Sequence, residues 1–223
     1  MRGPLHEVHQ AQGATFTEYQ GWELPDQFTD PVEEYQAVRH SLGVIDVSYR
    51  ATIKLTGPDR TDFLHRILSN GIENLLPGAG RHAALLSVQG KLMSVMKVLA
   101  TDDAIGLETE PVARRVLFDK LGMYKLAQKV ELEDVTEAVA KLLVQGPNST
   151  ELLRTVVNQE VALDEELQHQ AYQIAEWGKG RGGEWENGRM GEWEIKKSRP
   201  PFPHSPTPSP PPTPSLPPLD PCS

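Results

Sequence analysis

A proline-rich stretch near the C-terminus most limits what this chain can fold into. Residues 200–221 contain 12 prolines among Ser, Thr and Leu residues. Because proline lacks a backbone N–H and has a fixed φ, the stretch cannot form a helix or a sheet ladder, and we expect it to be extended or disordered. Two interpretations stay open. It is either a ligand for a proline-recognition domain, through segments such as 208–211, or a linker or non-native tail.

The amino-acid composition changes near Trp177 and divides the chain into parts of different character. Before this residue, apolar side chains recur with helix and strand periods, whereas residues 178–199 repeat the tetrapeptide Gly-Glu-Trp-Glu. The end of the periodic region is too short to bury a core of its own. We therefore expect a folded domain over residues 1–137, the start of a second α/β unit over 138–177, and a disordered tail over 178–223.

The periodic part of the chain is acidic. The net charge is −9, and residues 1–177 carry 16 Lys and Arg against 26 Asp and Glu. This balance disfavours direct binding of nucleic acid. No run approaches the ~18 apolar residues of a membrane span, and the N-terminus has no signal-peptide core. We expect a cytoplasmic protein, a monomer, that binds neither nucleic acid nor a membrane directly.

The cysteine content excludes several kinds of site. The chain has one cysteine, Cys222, in the proline-rich tail. A disulfide within the chain is therefore impossible, and so is a cysteine-based zinc or iron–sulfur site built from one chain. We predict no metal site.

The apolar runs predict an antiparallel sheet. Gly90 separates two such runs and indicates a hairpin, and Asp102-Asp103 indicates the next turn. Strands interspersed with helices and hairpins are typical of the α+β class, here an antiparallel sheet with packed helices. The strands are expected at residues 44–47, 51–55, 82–88, 92–100, 104–108, 129–133 and 139–144.

Helix start signals precede the predicted helices. Asp30-Pro31, Gly57-Pro58-Asp59 and Pro111 each open a run with helical periodicity, and a fourth helix is expected over Ser149–Val157. Asn70-Gly71 is expected to end the second helix. The expected inward faces are Val32, Tyr35, Val38 and Leu42 in the first helix, Phe63, Leu64, Ile67 and Leu68 in the second, and Val112, Val116, Leu117 and Leu121 in the third.

Several short segments follow one another in a fixed order along the chain. They are Gly21–Pro25 (Gly-Trp-Glu-Leu-Pro), Gly43–Ser48 (Gly-Val-Ile-Asp-Val-Ser), Leu55–Asp59, the Gly90 turn with its flanking strands, and Gln145–Pro147. From about residue 5 to residue 157, these segments and their order resemble one known family, the aminomethyltransferases of the glycine cleavage system (T-proteins).

The resemblance implies a tetrahydrofolate-binding pocket. T-proteins transfer an aminomethyl carbon onto tetrahydrofolate and place a catalytic aspartate just after the turn that corresponds to Gly90. The positions here are Met93 and Ser94. A thioether cannot act as a base, and a serine hydroxyl is a poor base without a partner. A Ser94–His82 dyad across the hairpin is one alternative; the other is that His82 is an ordinary hydrogen-bonded side chain.

By the same resemblance, the folate-contacting positions are Arg50, His82, Ser94, Glu108 and Thr109. Arg50 is suited to the glutamate carboxylates of folate, because a guanidinium matches carboxylate geometry; it is otherwise a solvated arginine. Glu108 is suited to the amino groups of a pterin; it is otherwise a charge favoured by the dipole of the helix that Pro111 begins.

The Gly-Lys-Leu-Met-Ser sequence at 90–94 resembles the YgfZ-type branch of the same superfamily. That resemblance implies a non-catalytic folate-binding accessory protein, with iron–sulfur proteins as partners, that assists iron–sulfur cluster maturation or repair and thereby tRNA modification. The branch's Lys-Gly-Cys-Tyr motif is absent, and we expect a chain truncated near Trp177. The alternatives are a true aminomethyltransferase and a folded fragment that binds nothing.

Overall fold

A computed structural model describes residues 1–157, 159–161, 163 and 165–172. The expected disordered tail and the end of the second unit lie outside these residues. The helices are α1 (His6–Ala11), α2 (Pro31–His40), α3 (Arg60–Ile67), α4 (Arg114–Tyr124) and α5 (Ser149–Val157). The strands are β1 (Thr15–Tyr19), β2 (Trp22–Gln27), β3 (Gly43–Asp46), β4 (Ala51–Thr56), β5 (Gly80–Leu86), β6 (Leu92–Ala100), β7 (Ile105–Thr109), β8 (Glu131–Asp134) and β9 (Leu142–Gln145).

A five-stranded antiparallel sheet forms the centre of the fold, in the order β5-β6-β7-β4-β8. The Gly90 hairpin joins β5 to β6 as predicted, and Gly90 itself adopts a φ of 75°, which glycine tolerates without a steric penalty. β4 and β7 alternate strictly between buried and half-buried residues. The alternation shows that one sheet face is covered while the other is partly open. The α+β class is confirmed.

Helices α3 and α4 cover the buried face of this sheet and form the hydrophobic core with it. Phe63 and Leu64 of α3 and Leu117 and Leu121 of α4 are almost completely buried. They pack against apolar side chains of β4, β5, β6 and β7: Ile53, Leu55, Ala83, Leu85, Met96, Val98, Ile105 and Leu107. At about 25 cal/mol for each Å² of apolar surface removed from water, this cluster is the main source of stability.

Two smaller sheets flank the central one. β1 pairs with β2 in an antiparallel hairpin, in which Gln20 and Gly21 both have positive φ, as a two-residue type I′ turn requires. β3 pairs with β9, so residues 142–145 complete a sheet with a strand located about 100 residues earlier in the chain. The sequence interpretation placed β9 at the start of a second unit. Here it hydrogen-bonds to the N-terminal part of the chain.

Three expectations about helices are wrong. Val32 and Tyr35 of α2 are 65% and 59% exposed, since this helix lies at the outside and contains no buried residue. Val112 and Val116 are also exposed: Val112 lies in a 3₁₀ turn over Pro111–Ala113 that precedes α4, and Val116 lies about 100° around α4 from the buried Leu117. α3 ends before Asn70, because the chain after it bridges β5 instead, with Leu68 paired to Leu85.

Sequence periodicity also missed the N-terminal elements. α1 has only six residues, too few to show a helical period, and β1 shows no alternation in its burial. Within the described part of the chain, no helix combines the length and the apolar character needed to cross a membrane.

Candidate functional site

The open face of the central sheet carries a row of polar side chains, and we refer to this surface as the polar face. In the sheet register, His82 lies opposite Lys97, Lys97 opposite Glu108, and Glu108 opposite Thr52. Residues directly opposite each other on antiparallel strands point to the same side. The row therefore crosses four strands, on the side away from α3 and α4.

Glu108 is the centre of this row. Its Oε1 accepts a hydrogen bond from Arg50 Nε at 3.0 Å and another from Lys97 Nζ at 3.0 Å. Arg50 also pairs through Nη1 with Glu110 at 2.9 Å. The Glu108 side chain is 14% exposed. The structure thus brings together two positions that the sequence singled out separately, Arg50 and Glu108, in one ion pair.

The surroundings of Glu108 keep it ionised. Burial on its own would raise the pKa of this carboxyl group, but the hydrogen bond from Lys97 and the charges of Lys97, Lys141 and Arg50 outweigh burial and hold the pKa below its usual value. A carboxylate with a lowered pKa is a poor general base near neutral pH. Glu108 is therefore suited to accepting hydrogen bonds and not to removing protons.

Lys141 joins the cluster from the segment before β9. Its Nζ donates to the backbone oxygen of Arg50 and to Thr52 Oγ1, the latter at 2.7 Å. Burial, together with the nearby charges of Arg50 and Lys97, lowers the pKa of Lys141 to about 8 in spite of the opposing effect of Glu108. The sequence analysis missed this residue, because no local pattern shows that β9 returns to β3.

His82 lies at the edge of the polar face, on β5. Its Nε2 is 3.2 Å from Glu166 Oε1, and its side chain is 54% exposed. Glu166 lies far along the chain, in a segment that returns to the sheet where His169 N donates to Gly78 O at 2.8 Å. The structure therefore adds Glu166 to the acids of this surface, a residue that the sequence analysis did not identify.

Ser94 and Thr109 lie on the opposite, buried face of the sheet. They are 3% and 1% exposed, and their hydroxyl oxygens are 3.0 Å apart. Thr109 Oγ1 also donates to Val95 O at 2.7 Å. Because His82 and Ser94 point to opposite faces, the Ser94–His82 dyad cannot form in this fold. Neither hydroxyl is open to a ligand on the polar face.

Alternation along β6 determines which residues near the Gly90 turn reach the polar face. Counting by two from Lys97, these are Val95 and Met93. Val95 is 56% exposed and Met93 is half-buried. Both are apolar. An acidic residue at position 94 would point into the core, so the position that matters for chemistry on this face is 95 or 93.

A second polar network connects the N-terminal helix to this cluster. His9 Nε2 lies 2.7 Å from Asp46 Oδ2, and both side chains are largely buried. Asp46 Oδ1 accepts from Ser48 N at 2.8 Å, and Ser48 Oγ accepts from Lys141 N at 3.0 Å. Asp46 and Ser48 belong to a segment that the sequence analysis quoted, but nothing in the sequence pointed to His9 as their partner.

The polar face offers two kinds of recognition. Arg50, Lys97 and Lys141 bring three basic groups close together in a chain that is acidic overall. Basic groups in such a cluster suit carboxylate or phosphate groups. Glu108 and Glu166 can accept hydrogen bonds from amino groups. The combination suits a ligand that has both amino and carboxylate groups.

Comparison with known proteins identifies the family. The family model of the GCVT N-terminal domain matches residues 5–180. An aminomethyltransferase from Desulforamulus reducens is 31% identical over 156 residues, which cover 69% of this chain and 42% of that protein. The crystal structure of glycine cleavage system aminomethyltransferase T from Bartonella henselae shares the fold, with a TM-score of 0.63, 22% identity, and coverage of 70% of this chain and 43% of that chain.

The matched region spans less than half the length of either relative. The match to the family model nevertheless covers most of the 223 residues, from α1 through α5. The chain therefore belongs to the family of the GCVT N-terminal domain.

Proposed function

We propose that the polar face forms part of a tetrahydrofolate site and that the chain acts as a non-catalytic folate-binding accessory protein of the YgfZ type. The observation that carries this proposal is on β6, where Met93 and Val95 are the residues that reach the polar face beside the Gly90 turn. T-proteins place a catalytic aspartate just after this turn. Here the ionic cluster is present, and the two positions beside the turn that reach the polar face are apolar.

The cluster supports the binding part of the proposal. Tetrahydrofolate carries a pterin with amino groups at one end and glutamate carboxylates at the other. Glu108 would accept hydrogen bonds from the pterin amino groups. Arg50 Nε lies 3.0 Å from Glu108 Oε1, so Arg50 cannot reach the glutamate end of the same ligand; in the proposal it keeps Glu108 ionised and oriented toward the pterin. His82 lies in the same row and would contact the ligand from β5.

Ser94 and Thr109 would act differently. Their hydroxyl pair lies beneath the sheet, so in the proposal they fix the spacing of β6 and β7 under the ligand and do not touch it. Tetrahydrofolate, when bound, supplies the acceptor nitrogen for a one-carbon group. The residues of this chain bind and orient that cofactor, and none of them is assigned a proton-transfer role.

The cellular role is the further part of the proposal. The likeness of residues 90–94 to the YgfZ-type branch supports assistance to iron–sulfur cluster maturation or repair, and through it to tRNA modification, with iron–sulfur proteins as partners. Action in the cytoplasm as a monomer belongs to the same proposal. The identity to the Desulforamulus reducens protein favours a second candidate, aminomethyl transfer in the glycine cleavage system.

Calorimetry on the full chain tests binding. We expect tetrahydrofolate to bind to the unaltered protein and binding to weaken about tenfold or more in Arg50→Met, because Arg50 orients Glu108 through a charge-assisted hydrogen bond, a kind of contact that contributes about 1.5–3 kcal/mol. Arg115→Met removes the same charge from a side chain that is 93% exposed on α4, and serves as the matched control. Absence of binding at millimolar tetrahydrofolate would refute the proposal.

A transfer assay separates the two candidates. The protein is incubated with tetrahydrofolate and an aminomethyl-loaded lipoyl carrier protein, and methylene-tetrahydrofolate is measured. We expect no turnover, because Met93 and Val95 offer no carboxylate at the turn. Turnover above the uncatalysed rate would establish the aminomethyltransferase instead.

A further inference from the structure

Lys141 is held in a fixed position beside the central sheet. Its backbone N–H donates to Ser48 Oγ at 3.0 Å, and its carbonyl oxygen accepts from Val47 N at 2.9 Å. These two bonds fix the chain on either side of its Cα. The side chain is half-buried and extends toward the start of β4. Its amine therefore has one defined environment, unlike that of a surface lysine.

The two hydrogen-bond partners of this amine are neutral. Nζ donates to the backbone oxygen of Arg50 and to the hydroxyl of Thr52. Among the ion pairs of the described residues none includes Lys141, and Glu108 is already paired with Arg50 and Lys97. A half-buried ammonium group without its own carboxylate is poorly compensated for the water it has lost.

The charges of the cluster balance without Lys141. Arg50 and Lys97 are two cations, and Glu108 and Glu110 are two anions that pair with them. A protonated Lys141 would add an unpaired positive charge, whereas a neutral amine leaves the cluster neutral. The lowering of the Lys141 pKa to about 8 agrees with this balance. The free amine is the nucleophilic form of lysine.

We propose that Lys141 is a reactive amine that captures a small aldehyde as a reversible carbinolamine and imine. The charge balance selects this class of electrophile. An aldehyde adduct in its neutral form keeps the cluster neutral, whereas a carbamate formed with carbon dioxide would add an uncompensated anion next to Glu108. Because the amine is half-buried, only small aldehydes can reach it. The inference stands independently of tetrahydrofolate binding.

The reaction requires no oxidant or reductant. The Nζ lone pair attacks the carbonyl carbon and forms the C–N bond, while the carbonyl π electrons move to oxygen, which gains the proton that nitrogen loses. The hydroxyl group of the carbinolamine then leaves as water with the remaining N–H proton, and the C=N bond forms. The hydroxyl of Thr52, already 2.7 Å from Nζ, is placed to hydrogen-bond to the adduct nitrogen.

Reductive methylation of the native full chain tests the proposal. Formaldehyde is the aldehyde, cyanoborohydride reduces the imine to N-methyl-lysine, and peptide mass spectrometry gives the rate at each lysine. Near neutral pH we expect Lys141 to react about tenfold or more faster than exposed Lys91, because each unit of pKa lowering raises the neutral fraction about tenfold. The rate at Lys141 should reach half its maximum near pH 8.

Two comparisons show whether the folded structure causes the high reaction rate of Lys141. In urea-unfolded protein, Lys141 and Lys91 should react at similar rates. Lys97→Met, which removes a neighbouring cation, should slow the reaction at Lys141 by about threefold, while Lys54→Met should change it little. Reaction at Lys141 no faster than at Lys91, a half-maximal pH near that of ordinary lysine, or a rate advantage that persists after unfolding would each overturn the proposal.

Discussion

One oxygen of Glu108 accepts hydrogen bonds from both Arg50 Nε and Lys97 Nζ, each at 3.0 Å. The carboxylate thereby joins β7 to β6 on one side and to the start of β4 on the other. Without this charge, Lys97 would lose the ion pair that it makes with Glu108, and Arg50 would retain its ion pair with Glu110. The polar face consequently depends on Glu108 both for its stability and for its shape.

Replacement of Glu108 by Gln should destabilise the protein. The change keeps the size of the side chain but removes the charge that pairs with two half-buried cations, and we expect a loss of about 1–3 kcal/mol in the free energy of unfolding. Urea denaturation measures it. Glu110→Gln is the control, since its side chain is 44% exposed and should contribute less than about 1 kcal/mol. Equal losses in the two variants would contradict a central role for Glu108.

Low pH should lower the free energy of unfolding in part through Glu108. The pKa of Glu108 is lowered from its ordinary 4.5, so the unfolded chain binds its proton at a higher pH than the folded chain. The stabilisation is complete above 4.5 and is lost as the pH falls through the lowered folded value. The free energy of unfolding, measured against pH below 5, should fall less steeply in Glu108→Gln. If the free energy of unfolding falls equally steeply with pH in the unaltered chain and in Glu108→Gln, Glu108 does not contribute to the acid sensitivity.

Alkaline pH should stabilise the protein through Lys141. Its pKa falls from 10.5 to about 8 on folding, so between these values the unfolded chain holds a proton that the folded chain has released. Stability therefore rises with pH across this window. After allowance for solvent screening we expect a gain of about 1–2 kcal/mol. The gain is measured as the difference in free energy of unfolding between the unaltered chain and Lys141→Met. If that difference stays constant from pH 8 upward, the prediction is wrong.

The hydrogen bond between His9 and Asp46 should stabilise the N-terminal segment. Both side chains are largely buried and their atoms are 2.7 Å apart. His9→Ala would leave Asp46 Oδ2 without this partner, and we expect a cost of about 1–3 kcal/mol. Thermal unfolding and hydrogen exchange in α1 measure the effect. His40→Ala, at an exposed position, is the control. An unchanged melting temperature in His9→Ala would show that the contact contributes nothing.

Two glycines with positive φ should respond differently to alanine. At Gly57 (φ 101°) a Cβ would lie 2.2 Å from Lys129 O, so the backbone must move, and we expect a loss of about 3 kcal/mol or more. Gly90 (φ 75°) has no atom within 4 Å of its Cβ position, and only the backbone conformation is penalised, by about 1–2 kcal/mol. Urea denaturation of both variants checks the order. A larger loss in Gly90→Ala would contradict the steric argument.

The sequence by itself determined the elements of the central sheet. Apolar runs identified β4, and the glycine turn between two such runs identified the Gly90 hairpin. Start signals such as Asp30-Pro31 located the helices, with Asp30 accepting from Val32 N as a cap should. These are local properties of the chain, because a cap, a turn or an alternating strand depends on neighbouring residues. The candidate site residues on this sheet came instead from the resemblance to a known family.

Only the tertiary structure decided which candidates act together. Arg50 and Glu108 meet because β4 lies beside β7, while Ser94 and Thr109 bury their hydroxyls because each stands one residue away from the polar-face positions Val95 and Glu108. Lys141 enters the cluster because β9 pairs with β3. Strand order and pairing over such distances arise from burying a shared core, which depends on the whole chain and not on any local pattern.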